Sequence, residues 1–326
     1  MYTEVMNHEA AAAVITKAEA EKCRHRLEKR WYRRLLIVNI LMIVAVIGGL
    51  VAHADKYRKE YAAYMEEVQQ NVAESMLESD GDTQKADSEK EAPKPPYDQD
   101  NMPWDLKAVG FGIVMIGALY LATAYLYAKQ KANAIRITEN NFPEVYDIIV
   151  QQAKQLGMKK VPEVYIAQGG GVLNAFSSFI LCRQYIVIHA EVFEVAYREH
   201  HDMDVLRFII AHEMGHIYYR HATLGYNLPI LFAQIVPILG TSASRAREYS
   251  CDRLAQRITG TDGIDSMMML MVDRHLYKQV NVEEYLKTAA EQHGFFLWLS
   301  NLLADHPVAC KRIPALARGE GSGALY

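Results

Sequence analysis

The chain has 326 residues, 51% of them hydrophobic, and a formal charge of -4, which allows one sizeable buried core with smaller additions. With no net positive charge there is no general basic surface for neutralising phosphates, so nucleic acid is not an expected partner. The four cysteines, Cys23, Cys182, Cys251 and Cys310, lie far apart with no CxxC pair; this excludes a disulfide framework or zinc ribbon and reads as ordinary thiols in a reducing compartment.

Residues 1–34 form a polar, helix-prone segment that ends in a basic run, Lys22, Arg24, Arg26, Lys29, Arg30, Arg33 and Arg34. Leu35 to Ala52 then carries no charge and only one polar side chain, Asn39. At about 1.5 Å per residue this stretch nearly covers a hydrocarbon core of about 30 Å, so 35–53 is assigned as a transmembrane helix. It starts too late and runs too long for a signal peptide. Residues 54–106 are hydrophilic, and between Asp55 and Asp105 there are 14 acidic against 6 basic side chains. Tyr57 to Leu77 should prolong the first helix, while 80–100 has almost nothing to bury and should be disordered, with an extended stretch at Pro93, Pro95 and Pro96. A second span, 107–128, has Trp104 ahead of it and Tyr125 and Tyr127 near its end, as an aromatic belt requires. Basic residues crowd before Leu35 and recur at Lys129, Lys131 and Arg136. They orient the hairpin with the N-terminus and everything after Ala128 in the cytoplasm. The expected location is therefore the cell (inner or plasma) membrane, multi-pass, with the acidic loop outside.

From 135 to 318 the pattern is that of a compact domain, followed by a tail at 319–326. Pro143 opens a helix with an apolar stripe at Val145, Ile148, Ile149, Gln152, Ala153 and Leu156, ended by Gly157. Val161 to Ile166 and Tyr185 to His189 have strand composition, separated by a turn at Gly169 to Gly171, and Val172 to Cys182 suits a strand at the sheet edge. Asp202 caps a helix expected over 203–221, with Val205, Leu206, Ile209 and Ile210 as its apolar face.

His212 and His216 lie on that helix four residues apart, so both imidazoles project from one face and can converge on a tetrahedral cation. Glu213 then points beside the cation toward a bound water, the arrangement of a metalloprotease general base. A later helical stretch, Ser244 to Ala255, carries Glu248 and Asp252 four apart. One can ligate the metal while the other accepts the free N–H of a ligating histidine; the alternative is that both pair with Arg245, Arg247 or Arg253 along an exposed helix. His200, His201 and His221 read as structural, the last as a cation at a helix C-terminus. Phe295 to Leu303 reads as core.

The strings HEMGH, SRAREYSCD and DHPVACKRI, preceded by NAFSS at Asn174 to Ser178, together resemble the HtpX-like membrane metallopeptidases. These belong to peptidase family M48, which also holds the CAAX prenyl endopeptidases and the mitochondrial OMA proteases. The resemblance covers roughly 135–318. It implies an α+β fold, a mostly helical gluzincin-type domain with a small sheet behind a two-helix transmembrane hairpin. It further implies one Zn2+ per chain on His212, His216 and Glu248, with Glu213 as general base and Asp252 behind the ligands. Asn174, Ala175 and Phe176 would belong to an edge strand along which a protein or peptide substrate lies as an added strand. His306 would reach the oxyanion, and Arg312 would tie its segment to the core or contact the site.

One departure from that pattern lies between the zinc helix and the third ligand. HtpX proteins have two more spans there; this chain has only Leu224 to Gly240, with Pro229 and Pro237. A single crossing would put Glu248 on the wrong side of the membrane, so the segment is expected as a buried core helix or an interfacial hairpin. The function expected is zinc endoproteolysis of membrane or membrane-proximal proteins in quality control. The alternatives are a catalytically silent scaffold or chaperone and a CAAX-type processing peptidase. Oligomeric state is not encoded in any of these features.

Overall fold

The computed structural model describes residues 13–79, 92–98, 100–180 and 183–326. Contacts divide the chain into two units: residues up to Asn39 together with Leu119–Tyr326, and Ile40–Ala118.

The smaller unit is built from parts of two long helices, α2 (Glu28–Ser79) and α3 (Trp104–Asn133), after the short α1 (Lys17–Cys23). Both long helices are long and apolar enough to cross a membrane. Their apolar side chains face outward; Val51 is 72% and Val114 68% exposed. Such a continuous outward-facing apolar surface suits a hydrocarbon solvent rather than water. As expected, α2 continues past its apolar stretch. Within this unit Asp105 is fully buried and accepts from the Tyr57 hydroxyl at 2.6 Å, with His53 Nδ1 3.0 Å away. Tyr97 bonds to Glu60 and meets the Tyr57 ring edge-on. The end of the acidic loop is thus anchored, contrary to the expectation that it buries almost nothing; residues 80–91 and 99 of that stretch lie outside the described residues.

The larger unit is mostly helical around a four-stranded sheet. Its strands are β1 (Ile135–Arg136), β2 (Glu163–Ala167), β3 (Ala175–Ile180) and β4 (Arg183–His189), in the order β1-β2-β4-β3. β2 and β4 are parallel, while β1 on β2 and β3 on β4 are antiparallel. Tyr185, Ile186, Val187 and Ile188 are fully buried, as an interior strand covered on both faces requires. Ile186, Ile188 and Val164 join the main core; Tyr185, Val187 and Tyr165 form a second cluster on the other face. β3 is left at the edge, where the sequence suggested it. β1 is too short to leave a pattern. The glycine turn before β3 is pinned by Glu191, whose carboxylate accepts from Gly169 N at 3.0 Å and Gly171 N at 2.7 Å.

Helix α4 (Pro143–Gln155) buries the expected stripe. After α5 (Ala190–Glu194) and a π-turn comes α6 (Met203–Tyr218), capped by Asp202, which accepts from Val205 N. α6 stops at Tyr218 rather than His221, which moves His221 into the following turn. Residues 224–240 form neither a continuous core helix nor a hairpin of two helices. They make the single turns α7 (Leu224–Asn227) and α8 (Leu231–Gln234) with a 3₁₀ turn, Leu228–Ile230, between them. Proline at 229 and 237 denies the segment the amide donors a long helix needs. α9 (Leu239–Thr259) then crosses α6 closely, followed by α10 (Ile264–Val272), α11 (Val282–Glu291), α12 (Phe295–Leu303) and α13 (Ala309–Arg318). α12 is not core: Phe295, Phe296, Trp298 and Leu303 are exposed, and only Asn301 and Leu302 are buried.

The N-terminal segment is part of the larger unit rather than a free basic tail. Ile15 N donates to Gln155 O and the Tyr219 hydroxyl donates to Ala20 O, both at 2.7 Å. Trp31 and Leu35, at the start of α2, are buried with Ile230, Ala246 and Tyr249. Asn39, the one polar side chain of the apolar stretch, is 3% exposed and accepts from the backbone N–H groups of Phe232 and Ala233 at 3.0 and 3.2 Å. It supplies α8 with the cap that a one-turn helix otherwise lacks.

Candidate metal centre

His212 and His216 project from α6 toward Glu248 on α9. Their Nε2 atoms are 3.3 Å apart, and Glu248 places Oε2 at 3.4 Å from His212 and Oε1 at 3.2 Å from His216. The edge of a tetrahedron is about 1.63 times its centre-to-corner distance, so zinc–ligand bonds of about 2.0–2.1 Å call for donors about 3.3–3.4 Å apart. Two imidazole nitrogens and a carboxylate, brought together within 4.8 Å of one another, match a divalent transition metal in chemistry, and each imidazole stands at about that spacing from the other and from one of the two Glu248 oxygens.

The packing behind the ligands fixes their direction. His212 Nδ1 lies 2.8 Å from Asp252 Oδ1. A carboxylate there accepts, so Nδ1 carries a proton and Nε2 is the ring nitrogen left to meet a metal, which has to displace the proton it holds. Asp252 is held in turn by Arg312, whose Nε and a terminal nitrogen each donate to it at 2.8 Å; that nitrogen is also 3.2 Å from Glu248 Oε2. Arg312 therefore ties α13 to both carboxylates. Burial alone would depress the His212 pKa, but hydrogen bonds to Asp252 and Glu248 outweigh it and raise it to about 10. Burial would raise Glu248, yet His212, His216 and Arg312 hold it well below the carboxylate range. Asp252 is brought down to about 2 because Arg312 and His212 overcome its burial. The site is thus a dense cluster of opposed charges organised around the two Nε2 atoms.

The alternative pairing with arginines of the same helix does not occur. Arg245 is fully buried and donates to the carbonyls of Leu302, Ala304 and Leu325, while Arg253 reaches Gln256 and the carbonyls of Ala315, Glu320 and Gly321.

Glu213 lines a cavity of about 210 Å³ together with His212, Glu248, Asn174, Ala175, His306 and Arg312. His306 is 68% exposed, with Nε2 3.6 Å from Glu248 Oε2. Of the three proposed strand residues, Asn174 and Ala175 reach this cavity. Phe176 turns to the other face of the sheet, against Tyr165, Tyr185 and Val187, as period-2 alternation demands. A second cavity of about 460 Å³ opens on the far side of His216, lined by Ser177, Ser178, Asn227, Gln234 and Arg247 among others.

His221, read from the sequence as a structural cation at the helix end, and Glu28, which the sequence did not single out, also adjoin the site. His221 is 5% exposed, and its Nδ1 lies 3.2 Å from His216 Nδ1. Burial lowers its pKa to about 4 against the pull of Glu28, so at neutral pH it is uncharged and does not act as a cation at a helix end. Its five-residue offset from His216 was a usable signal; nothing local marked Glu28.

The sequence model of peptidase family M48 matches residues 139–320. The chain belongs to this family. It is therefore an HtpX-like M48 metallopeptidase, as the motif resemblance implied, and protein or peptide substrates follow. No curated protein matches the chain.

Proposed function

We propose that this M48 metallopeptidase is a membrane-anchored zinc endopeptidase of gluzincin type, with His212, His216 and Glu248 as ligands of one zinc ion and Glu213 as general base. The observation that carries this reading is the convergence of two imidazole nitrogens and the Glu248 carboxylate at metal-ligand spacing, with Glu213 in the same cavity. Zinc held there supplies a Lewis acid toward the scissile carbonyl and lowers the pKa of the attacking water. Glu213 takes the proton that the water loses as its oxygen bonds to the carbonyl carbon, and delivers it to the leaving nitrogen as the C–N bond breaks. No covalent enzyme intermediate is needed. His306, exposed at the cavity rim, turns its ring N–H toward charge developing on the carbonyl oxygen. Arg312 and Asp252 keep the His212 ring in its ligating tautomer.

The substrate backbone pairs with the free edge of β3, running from Asn174 and Ala175 beside Glu213 to Ser177 and Ser178 beside the larger cavity. Two apolar helices of spanning length and the exposed apolar side chains of α12 favour membrane or membrane-proximal proteins as substrates, in a quality-control role. The basic residues flanking the two spans favour a multi-pass arrangement in the cell membrane with the catalytic unit cytoplasmic. Labelling of a cysteine introduced into the acidic loop of intact cells tests this; labelling only after permeabilisation reverses the orientation.

The deciding experiment pairs zinc content with casein cleavage for detergent-purified wild type and Glu213→Gln. One zinc in both, with kcat lowered about 10²–10⁴-fold in the variant, is the expected outcome. Zinc in both with cleavage in neither turns the reading to a scaffold.

A further inference from the structure

We infer that Glu28, on the membrane-proximal turn of α2, is a positioning residue for the metal centre, acting through His221 to hold His216 in its metal-ligating tautomer. The inference rests on the reading that His216 ligates through Nε2.

The geometry is a chain of three groups. Glu28 Oε1 lies 3.2 Å from His221 Nε2, and His221 Nδ1 lies 3.2 Å from His216 Nδ1. Glu28 is 2% exposed and also receives Arg24 and the Ser250 hydroxyl. A carboxylate with those donors accepts from His221, which places the His221 proton on Nε2 and leaves its Nδ1 as an acceptor. Two groups face that acceptor, the Cys251 thiol at 3.8 Å and His216 Nδ1 at 3.2 Å; the imidazole N–H is the closer and the stronger donor, which puts the lone pair of His216 on Nε2, where the candidate site needs it. The reverse assignment would put a proton on His216 Nε2 and close the site to a cation. His212 is oriented by Asp252 within the family-matched region, whereas His216 is oriented through a residue that lies outside residues 139–320. The backbone supports the link, since His221 N donates to His216 O at 2.8 Å and closes the turn that carries the ring.

The same atoms admit a rival, because His216, His221 and Cys251 also fall within 4.8 Å of one another. Cys251 Sγ is 3.8 Å from His221 Nδ1, its thiol pKa is raised well above normal by burial, and the two Nδ1 atoms are already at hydrogen-bond distance. The hydrogen-bonded relay accounts for these distances without a second ion.

The relay makes ligand orientation depend on docking of the segment that leads into the apolar helix. A chain whose first turn of α2 leaves the catalytic unit would release the constraint on His216.

The test uses full-length protein in detergent micelles, with zinc affinity measured by competition against a chromophoric chelator and the visible spectrum recorded after cobalt substitution. Glu28→Gln and His221→Asn should each weaken zinc binding about 10–100-fold and shift the cobalt bands. The double variant should be no weaker than His221→Asn alone, since both act along one path. Tyr219→Phe, which removes the hydroxyl's docking hydrogen bond to Ala20 O but keeps the ring against His221 and Arg24, should leave the cobalt spectrum unchanged. If Glu28→Gln does not fold, His221→Asn tests the link from the other end, leaving Glu28 with Arg24 and Ser250. Wild-type zinc affinity and cobalt spectrum in either folded variant, additive losses in the double variant, or two zinc ions per wild-type chain would each overturn the relay. Failure of wild type to bind zinc would instead remove the zinc-peptidase reading beneath it.

Discussion

The first turns of α2 and the apolar stretch that follows them live in different surroundings. Trp31, Leu35 and Asn39 are 6%, 0% and 3% exposed, whereas Leu41, Val44 and Val51, further along the same helix, are 61%, 58% and 72% exposed. Residues up to Asn39 cluster with the catalytic unit and those from Ile40 do not. Hydropathy treats the whole stretch as one element, because a leucine facing protein and a leucine facing lipid have the same transfer preference. What separates them is a partner surface, and that is a property of the folded chain. Asn39 marks the border: its amide would be costly in hydrocarbon, but here its oxygen satisfies two backbone donors of α8.

This contrast can be tested from both sides. Trp31→Ala should have the largest effect, about 3–5 kcal/mol of lost stability, read as a lower unfolding midpoint of the catalytic unit in detergent. A change within error would mean that the start of α2 is only loosely held. Val44→Arg should leave that midpoint alone but cost about 2.5–3.5 kcal/mol of membrane insertion at the centre of the span. Carbonate extraction of the membrane fraction would show it, and unchanged fractionation would argue that this part of α2 does not meet lipid. Asn39→Ala should be the smallest, about 1–3 kcal/mol, because it leaves the Phe232 and Ala233 amides without their acceptor; protease sensitivity at 224–240 is the readout.

The site was legible where the chemistry is local. His212, Glu213 and His216 announce themselves by helical spacing, and Glu248 with Asp252 by a second four-residue spacing whose partner was left open between a metal and nearby arginines. The edge strand was legible too, apart from which of its residues faces the cavity, since a one-residue error in register exchanges the faces. The failures are of another kind. The docking of residues 13–39, the burial of Glu28 against His221 193 positions away, and the clasp of Arg245 on three carbonyls depend on surfaces meeting after folding, for which no window of sequence carries a signature. The exposed aromatic face of α12 misled for the converse reason, since apolar composition states a preference for leaving water without saying what will replace it.

Gly215 lies between His212 and His216, on the face of α6 that meets α9. A Cβ built there would come within 3.2 Å of both Cβ and Sγ of Cys251. A glycine inside a helix costs about 1 kcal/mol relative to alanine, a cost set against a closer approach of the helix bearing Glu248. Even a methyl group at 215 would need Cys251 to give by a few tenths of an ångström, so the glycine lets α9, and Glu248 with it, sit close against the two histidines. The spacing of the candidate donors is thus set partly by a residue that supplies none of them.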